Sequence, residues 1–401
     1  MSDWKKVKLS ECCLSIADGD HQPPPKAEQG IPFVTISNIT SSNQFDFSNT
    51  LYVPQDYYDR LDEKRKAREG DVLYSVVGSF GIPVFMKENK EFVFQRHIAI
   101  LRPDSDAIIP QFLFYIMLTR DFYAKADAAA LGAAQRTISL TSLRNIEISI
   151  PEKKAQLKIV EILSAFDNLI ENNQKQIKLL EEAAQRLYKE WFVELRFPGY
   201  EDVQIVDGVP EGWRLGVLSD VASLNVTAID YDYPYSEIEY VDLGSVNKGH
   251  ILGKKKYLLQ DAPGRARRLA KHGDVIWGMV RPNLKAYALV QNESSNTVYS
   301  TGFAIITAMS VPFTFMYCAT TTEEFVGYLV GCTNGAAYPS VKPSHFQNAK
   351  ILIPSENVLK AFHQITEPIF CKIGYLDEMN NYLAEVRDRL LPKLMSGEIE
   401  L

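Results

Sequence analysis

GAAQRTISLTSLRNIEISIP, residues 132–151, and GAAYPSVKPSHFQNAKILIP, residues 335–354, are two copies of one segment 203 positions apart. The same spacing pairs Gly70, Asp71 and Val72 with Gly273, Asp274 and Val275, which head the runs VLYSVV and VIWGMV. Near the start, Trp4-Lys5 ahead of VKLSECCLSI resembles Trp213-Arg214 ahead of GVLSDVASLN. Duplication at this distance means two similar globular units, and 401 residues suffice for each to bury its own core.

Inside each unit the pattern is of short strands. Ile146, Ile148 and Ile150 alternate before Pro151, Phe92 to Phe94 forms an aromatic run, and Gly, Pro, Asn and Asp punctuate densely. The expected fold class is α+β: two similar mixed α/β domains rich in irregular strands and loops, without a parallel doubly wound sheet.

After Pro151 the period becomes seven. Ile159, Leu163, Phe166, Ile170, Asn173, Ile177, Leu180, Ala184, Leu187 and Trp191 alternate spacings of four and three, the seam of a coiled-coil helix. Its one polar member, Asn173, is the kind of residue that fixes register or partner at some cost in stability. Phe362, Ile365, Ile369, Ile373, Leu376, Met379, Leu383, Val386, Leu390 and Leu394 repeat the theme less regularly, and Pro392 should kink or end that helix. Two matched seams in one chain are most simply covered by each other. Each could instead pack on its own domain, or one could join two chains. An intramolecular antiparallel coiled coil with pseudo-twofold symmetry would place the domains at opposite ends. The expected boundaries are 1–151 and 197–354 for the two domains and 152–196 and 355–401 for the helical regions.

Composition narrows the function. Apolar residues make up 46% and charged residues 23%, as in soluble globular proteins. MSDWKKVKL carries no apolar stretch behind its lysines, and no window approaches the roughly 18 apolar residues of a membrane span. A cytoplasmic location is expected, with no membrane partner. Cys12, Cys13, Cys318, Cys332 and Cys371 form no C-x-x-C pair and suit reduced, structural thiols. A net charge of -7 argues against binding nucleic acid by bulk electrostatics alone. Residues 1–155 hold 19 cations and 20 acids, and 197–355 hold 13 and 15, so both domains are near neutral.

Catalytic signatures are missing. There is neither a phosphate-binding G-x-x-x-x-G-K-[ST] nor a dinucleotide-binding G-x-G-x-x-G motif. Amino-methyltransferases need a Pro-Pro-aromatic corner; the one Pro-Pro run, Pro23 to Pro25, lies between Gln22 and Lys26. Pro103-Asp104 with Glu152-Lys153-Lys154 imitates a metal-nuclease pattern, but its members are far apart and the last lies at a helix start. His21, His97, His250, His272, His345 and His363 show no ligand spacing, so no metal is expected.

What the sequence does offer is side chains suited to DNA, where cations hold phosphates and Arg, Asn, Gln and Ser read base edges. Arg281, Asn283 and Lys285 sit in MVRPNLKAY, where Pro282 forces an extended or turning backbone; an exposed, merely solvated hairpin tip would look the same. Lys254, Lys255, Lys256, Arg265, Arg267, Arg268 and Lys271 face one acid, Asp261, and form a phosphate-binding candidate or a solvated face. The first domain supplies Ser75, Ser79 and Phe80 in YSVVGSFG, then Arg96 and His97, and His21, Gln22 and Lys26 in DGDHQPPPK. Gln135 and Arg136 follow the GAA turn and match Tyr338 and Pro339, with Lys342 shortly after; that turn could equally be structural.

IPEKKAQLKIVEILSAFDNLIENN, QRLYKEWFVELRFPG and the C-terminal RLLPKLMSGEIEL resemble conserved regions of the specificity subunits of type I restriction-modification systems. The resemblance spans the chain as proximal target-recognition domain, central helix, distal target-recognition domain and distal helix. It implies a non-catalytic subunit that recognises a bipartite target on double-stranded DNA. It further implies two modification subunits that carry S-adenosylmethionine and methylate adenine, restriction subunits that cleave, and no cofactor in this chain. The alternative is a coiled-coil scaffold whose repeated domains bind protein or glycan. A fused methylating nuclease is nearly excluded by the missing cofactor motifs.

Overall fold

A computed structural model describes residues 4–19, 24–40, 42–132, 136–333 and 339–399. The chain divides into two compact units, residues 1–170 with 381–401, and residues 171–380. Each unit therefore holds one globular domain together with part of each long helix.

In the first unit β1 (Lys5–Lys8) leads into the single turn α1 (Leu9–Cys12) and pairs antiparallel with β9 (Glu147–Ile150). The central sheet has the order β2 (Cys13–Asp18), β8 (Ile98–Pro103), β5 (Val72–Ser75), β6 (Pro83–Phe85), every pair antiparallel. A smaller sheet holds β4 (Leu51–Val53), β3 (Ile31–Val34) and β7 (Val93–Phe94), with the short α2 (Gln55–Asp59) after β4. α3 (Pro110–Leu118) opens on a proline, which needs no N–H partner in a first turn. Phe112 to Met117 are all buried, as suits a helix enclosed on every side. Thr119 caps α4 (Arg120–Ala128) and Ser139 caps α5 (Leu140–Arg144).

The second unit repeats this plan. After a small hairpin of β10 (Ile205–Val206) and β11 (Val209–Pro210), β12 (Arg214–Val217) pairs antiparallel with β24 (Lys350–Ile353). Its central sheet runs β13 (Ala222–Leu224), β23 (Phe303–Ala308), β20 (Val275–Gly278), β21 (Tyr287–Leu289), the same topology as in the first unit. The helices correspond as well: α7 (Phe313–Thr320), α8 (Glu323–Gly331) and α9 (Pro343–Gln347). Divergence is concentrated in the second sheet, which here has five strands: β14 (Thr227–Ala228), β19 (Ala266–Leu269), β22 (Thr297–Ser300), β15 (Glu237–Val241) and β18 (Lys255–Leu258). Against β21 of the central sheet lies the hairpin of β16 (Val246–Asn247) and β17 (His250–Ile251).

The heptad pattern produces α6 (Lys153–Tyr188), closed by a π-helical turn at Lys189–Val193, and α10 (Glu356–Met395). Within the second unit Asn173 Nδ2 donates to Asn380 Oδ1 at 2.9 Å, and the Trp191 and Phe362 rings lie 5.8 Å apart. Within the first, Arg387 Nη1 reaches Asp167 Oδ1 at 2.7 Å. As one number rises its partner's falls, so the helices pair antiparallel in each unit. Ile159, Leu163, Asn173, Ile177, Trp191, Leu376 and Leu383 are buried, and Phe166, Ile170, Leu180, Leu187, Ile369 and Leu390 are half-buried.

One expectation for the second helix needs correction, and of the two outcomes expected at Pro392, a kink or an end, the end does not occur. Ile365 is 47% exposed; the seam passes through the fully buried Thr366, whose hydroxyl is satisfied by the Phe362 carbonyl at 2.8 Å, and through Phe370. Pro392 does not end the helix, which continues to Met395. It stands on the exposed side, where water can satisfy a carbonyl left without its donor, while Leu391 and Leu394 hold the last turn to the core.

Polar bridges tie each domain to the helices. In the first unit Tyr115 on α3 donates to Asp167 Oδ2 at 2.5 Å, and Asp167 in turn receives Arg387. In the second, His250 inserts between the helices, with Nδ1 3.3 Å from Asp377 and Nε2 3.7 Å from Glu181. Gly249 lets the hairpin come this close, since a Cβ there would meet the Glu181 carboxylate at 2.9 Å and the Tyr317 hydroxyl at 3.0 Å. The hydrogen bond to Asp377 raises the His250 pKa, against burial and with help from Glu181, whose own pKa burial raises.

Two tests follow from this packing. Asn173→Leu alone should cost about 1–3 kcal/mol by stranding the Asn380 amide. In thermal unfolding, Asn173→Leu with Asn380→Leu should recover most of that loss; a double variant as unstable as the single one would deny the pair its role. His250 contributes stability that is fully present below its unfolded pKa of about 6.5 and is lost as pH rises through its raised folded value. Glu181 works the same way, because ionising a carboxyl of raised pKa costs stability as pH rises. The melting-temperature advantage of the parent over His250→Gln should therefore shrink from pH 6 to pH 9.

Candidate nucleic-acid interface

Each domain presents a hairpin tip from its central sheet, β5–β6 in the first and β20–β21 in the second, and both tips are docked in the same way. In the first, Ile138 N donates to Val76 O at 3.1 Å, Gly78 N to Arg136 O at 3.3 Å, and Val77 bridges Thr137. In the second, Val341 N donates to Met279 O at 2.9 Å, Arg281 N to Pro339 O at 2.7 Å, and Val280 bridges Ser340. The segment after the GAA turn is thus the hairpin's support, which gives the repeated motif its structural use. A tip fastened along one side keeps its side chains in place, as contact with base edges requires.

The second tip exposes Arg281, Asn283 and Leu284, and Lys285 Nζ pairs with Glu323 at 2.5 Å. The first exposes Ser79, while Phe80 packs edge-on against Tyr74 and Tyr123. Ser75 must be withdrawn as a DNA contact: it is fully buried in β5, and its Oγ accepts from Ile82 N at 2.8 Å. Its sequence neighbourhood gave no sign that β5 is an interior strand buried along its whole length. Arg136 Nε donates to Asp127 Oδ1 at 2.8 Å, so its charge is partly engaged within the domain. Lys26, Arg96 and Lys342 are exposed and His97 is half-buried. His21, Gln22, Gln135 and Tyr338 lie outside the described residues.

The basic stretch from Lys254 to Lys271 is less free than its composition suggests. Lys254 Nζ lies 2.5 Å from Glu293 and 3.2 Å from Glu239; burial works against its charge, but these carboxylates raise its pKa overall. Lys255 pairs with Asp242 at 2.5 Å. Lys256, Arg265, Arg267 and Lys271 remain exposed. Arg268 on β19 is half-buried, its Nε has no partner, and burial lowers its pKa. Four exposed cations and one under-satisfied guanidinium could hold phosphate.

Sequence reasoning missed the internal ion pairs. Arg102 grips the buried Asp71 through two hydrogen bonds of 3.0 and 2.9 Å, and the repeated Gly-Asp-Val triplet was the signal for that acid. Asp167–Arg387 and the His250 bridge left no comparable trace. In the open cleft lined by Cys13, Asp18, Asp62, Arg65 and Arg144, burial pushes the Cys13 thiol up to about 12, which disfavours its thiolate. Among the described residues no group of three or more His, Cys, Asp or Glu is placed to hold a metal ion, and no helix is long and apolar enough to cross a membrane.

Residues 1–182 match the type I restriction modification DNA specificity domain. The chain is 26% identical over 307 residues to the type I restriction enzyme MjaIX specificity subunit of Methanocaldococcus jannaschii, an alignment covering 74% of this chain and 70% of that one. It is 23% identical to the HindI specificity subunit of Haemophilus influenzae, over the full length of both. The fold is that of the type I restriction-modification S subunit from M. genitalium, with a TM-score of 0.60, 15% identity, and coverage of 98% of this chain and 96% of that one. The domain match and the relatives alike liken the chain to type I restriction-modification specificity subunits.

Proposed function

We propose that this chain is the DNA-sequence-reading, non-catalytic subunit of a type I restriction-modification complex, and that each domain reads one half of a bipartite target. The observation that carries this reading is the duplicated device, a fastened hairpin tip on the same four-stranded sheet in both domains. Two copies of one reader with different tip residues suit two different half-sites. The subunit would bring two modification subunits, which hold S-adenosylmethionine and methylate adenine, and the restriction subunits to that target.

Affinity should come largely from those partners. Both domains are near neutral, and Lys254, Lys255 and Lys285 are paired internally. Few counterions can be released by this chain alone. The isolated chain should bind duplex DNA weakly with a shallow salt dependence, and the complex with modification subunits tightly with a steep one, as measured by titration across 50–200 mM salt. Equal affinity and slope in the two forms would contradict this division of labour. Methylation mapping of host DNA with and without the chain tests the function itself. Replacing residues 1–151 with a relative's first domain should change one half of the methylated motif only.

A further inference from the structure

The second sheet of the second domain holds two strands with no counterpart in the first. In both domains one strand of that sheet pairs antiparallel on one side and parallel on the other: β3 with β4 and β7, and β15 with β18 and β22. Past β22 the second domain adds β19 and then the two-residue edge strand β14. β19 reads ARRL and follows Arg265 directly. It carries a bulge, because Ala266 pairs with Ser300 and Arg268 with Tyr299, which leaves Arg267 as the extra residue. A bulge breaks the alternation of a strand and re-aims its side chains. Ala266 and Arg268 oppose consecutive residues of β22 and so face opposite sides, Arg268 on the side of Tyr299. That ring belongs to an apolar cluster with Ile276 and Ile305 of the central sheet.

Arg268 is costly where it sits. It is half-buried, its enclosed Nε has no hydrogen-bond partner among the described residues, and burial lowers its pKa with no carboxylate to oppose the shift. The half-buried Arg102 and Arg387, by contrast, are held by Asp71 and Asp167. A partly desolvated cation without an anion opposes folding, and a bound anion would remove that cost. The place also suits DNA. Arg265 O accepts from Thr301 N at 2.8 Å, and the next residue, Gly302, accepts from Met279 N at 2.9 Å, at the foot of the fastened tip. The equivalent contact in the first domain is Val76 N to His97 O at 2.8 Å, and the exposed Arg96 precedes His97. Both domains thus set arginine beside the foot of the tip, the first from a loop and the second from the added strand.

Resting on the DNA-reading function proposed above, we infer that β19 is a phosphate clamp of the second domain, in which Arg268, with the exposed Arg265 and Arg267, holds the DNA backbone at that domain's half-site. The guanidinium fork suits a phosphodiester because it donates two parallel hydrogen bonds to its oxygens. Phosphate contacts fix the position and angle of a duplex without reading its sequence, so the clamp presents the bases to the tip. Three arginines leave most of the non-specific attraction to the partner subunits.

Arg268→Met is a suitable test, because it removes the charge and its burial cost while keeping an unbranched side chain. The full-length variant should melt no lower than the parent. In complex with the modification subunits it should bind a duplex bearing the parent's methylated motif about tenfold more weakly. Its salt dependence, titrated over about 50–200 mM, should be shallower by about 0.9 in log–log slope, the signature of one lost phosphate contact. Arg267→Gln, at an exposed site, should flatten the slope in the same way without moving the melting temperature. Methylation-sensitive sequencing should return the parent's motif for both variants. A lower melting temperature for Arg268→Met would show that the fold itself uses the charge and overturn the inference. Affinity and slope equal to the parent's would overturn it too, as would altered base preference, the mark of a base contact. In each of those cases the parent's bipartite motif would leave the DNA-reading function standing. A parent complex that methylates no defined motif would instead overturn that function and this inference together.

Discussion

Covering the apolar seams of α6 and α10 is the constraint around which both units are built. The seams merge with the domain cores. In the first unit Ile159, Leu163, Leu391 and Leu394 join Phe112, Leu113 and Phe114 of α3 in one cluster. In the second, Ile177, Ala184, Phe370, Ile373 and Leu376 join Phe315 and Met316 of α7. Full burial of such side chains stabilises by about 1.5–3 kcal/mol each, and none could be covered by the helix pair alone or by the sheet alone. α3 and α7 are buried along most of their length because they are covered from both sides. An aromatic group seals the second unit, where Phe192 on the π-helical turn lies 5.0 Å from Phe315 and 4.9 Å from Phe362. The helix unwinds from α to π where its ring must reach that group.

With the apolar framework duplicated, the polar details were free to diverge. Asp71 is buried against Arg102, whereas its counterpart Asp274 has Ile305 in place of the arginine. One oxygen of Asp274 accepts from Lys271 N at 2.9 Å, the other has no partner, and burial raises its pKa. The charged Asp167–Arg387 contact of the first unit corresponds by the repeat spacing to Phe370 and Ala184 in the second, both in the apolar core. The second unit compensates elsewhere, through His250. The Asp167–Arg387 exchange shows that the backbone plan tolerates replacing a half-buried ion pair with packed apolar groups, as expected when desolvation offsets much of the attraction.

The framework was legible because it rests on periodicity and repetition. A heptad seam read from Ile159 to Trp191 is a statement about one helix face, and that face is the one that packs. The repeated GAA segments located equivalent structure without revealing its job, since supporting a hairpin through Arg136 and Pro339 is a long-range backbone contact. Individual site residues were harder to read. Ser75 and Ser79 are four positions apart in one strand-and-turn, yet one is sealed and the other exposed, and only sheet order separates them. Lys254 looked available because its partners Glu239 and Glu293 are distant in sequence. The less regular second seam misled at Ile365 because Thr366 carries its own hydrogen bond and can therefore be buried as an apolar residue would be.

Charge bookkeeping bears on how such a chain would discriminate between DNA sequences. A cation engaged by a carboxylate gives up that attraction before it can serve a phosphate, and Arg102, Lys254, Lys255, Lys285 and Arg387 are all engaged in this way. Strong phosphate attraction would raise affinity for every sequence alike and leave the ratio between right and wrong sites unimproved. A near-neutral reader with a few side chains fixed on fastened tips has the opposite balance: low affinity that depends on which bases it meets. Placing most of the non-specific attraction on other subunits would keep discrimination and affinity separately adjustable. The tips could then vary from one relative to another without disturbing the seams that hold both units together.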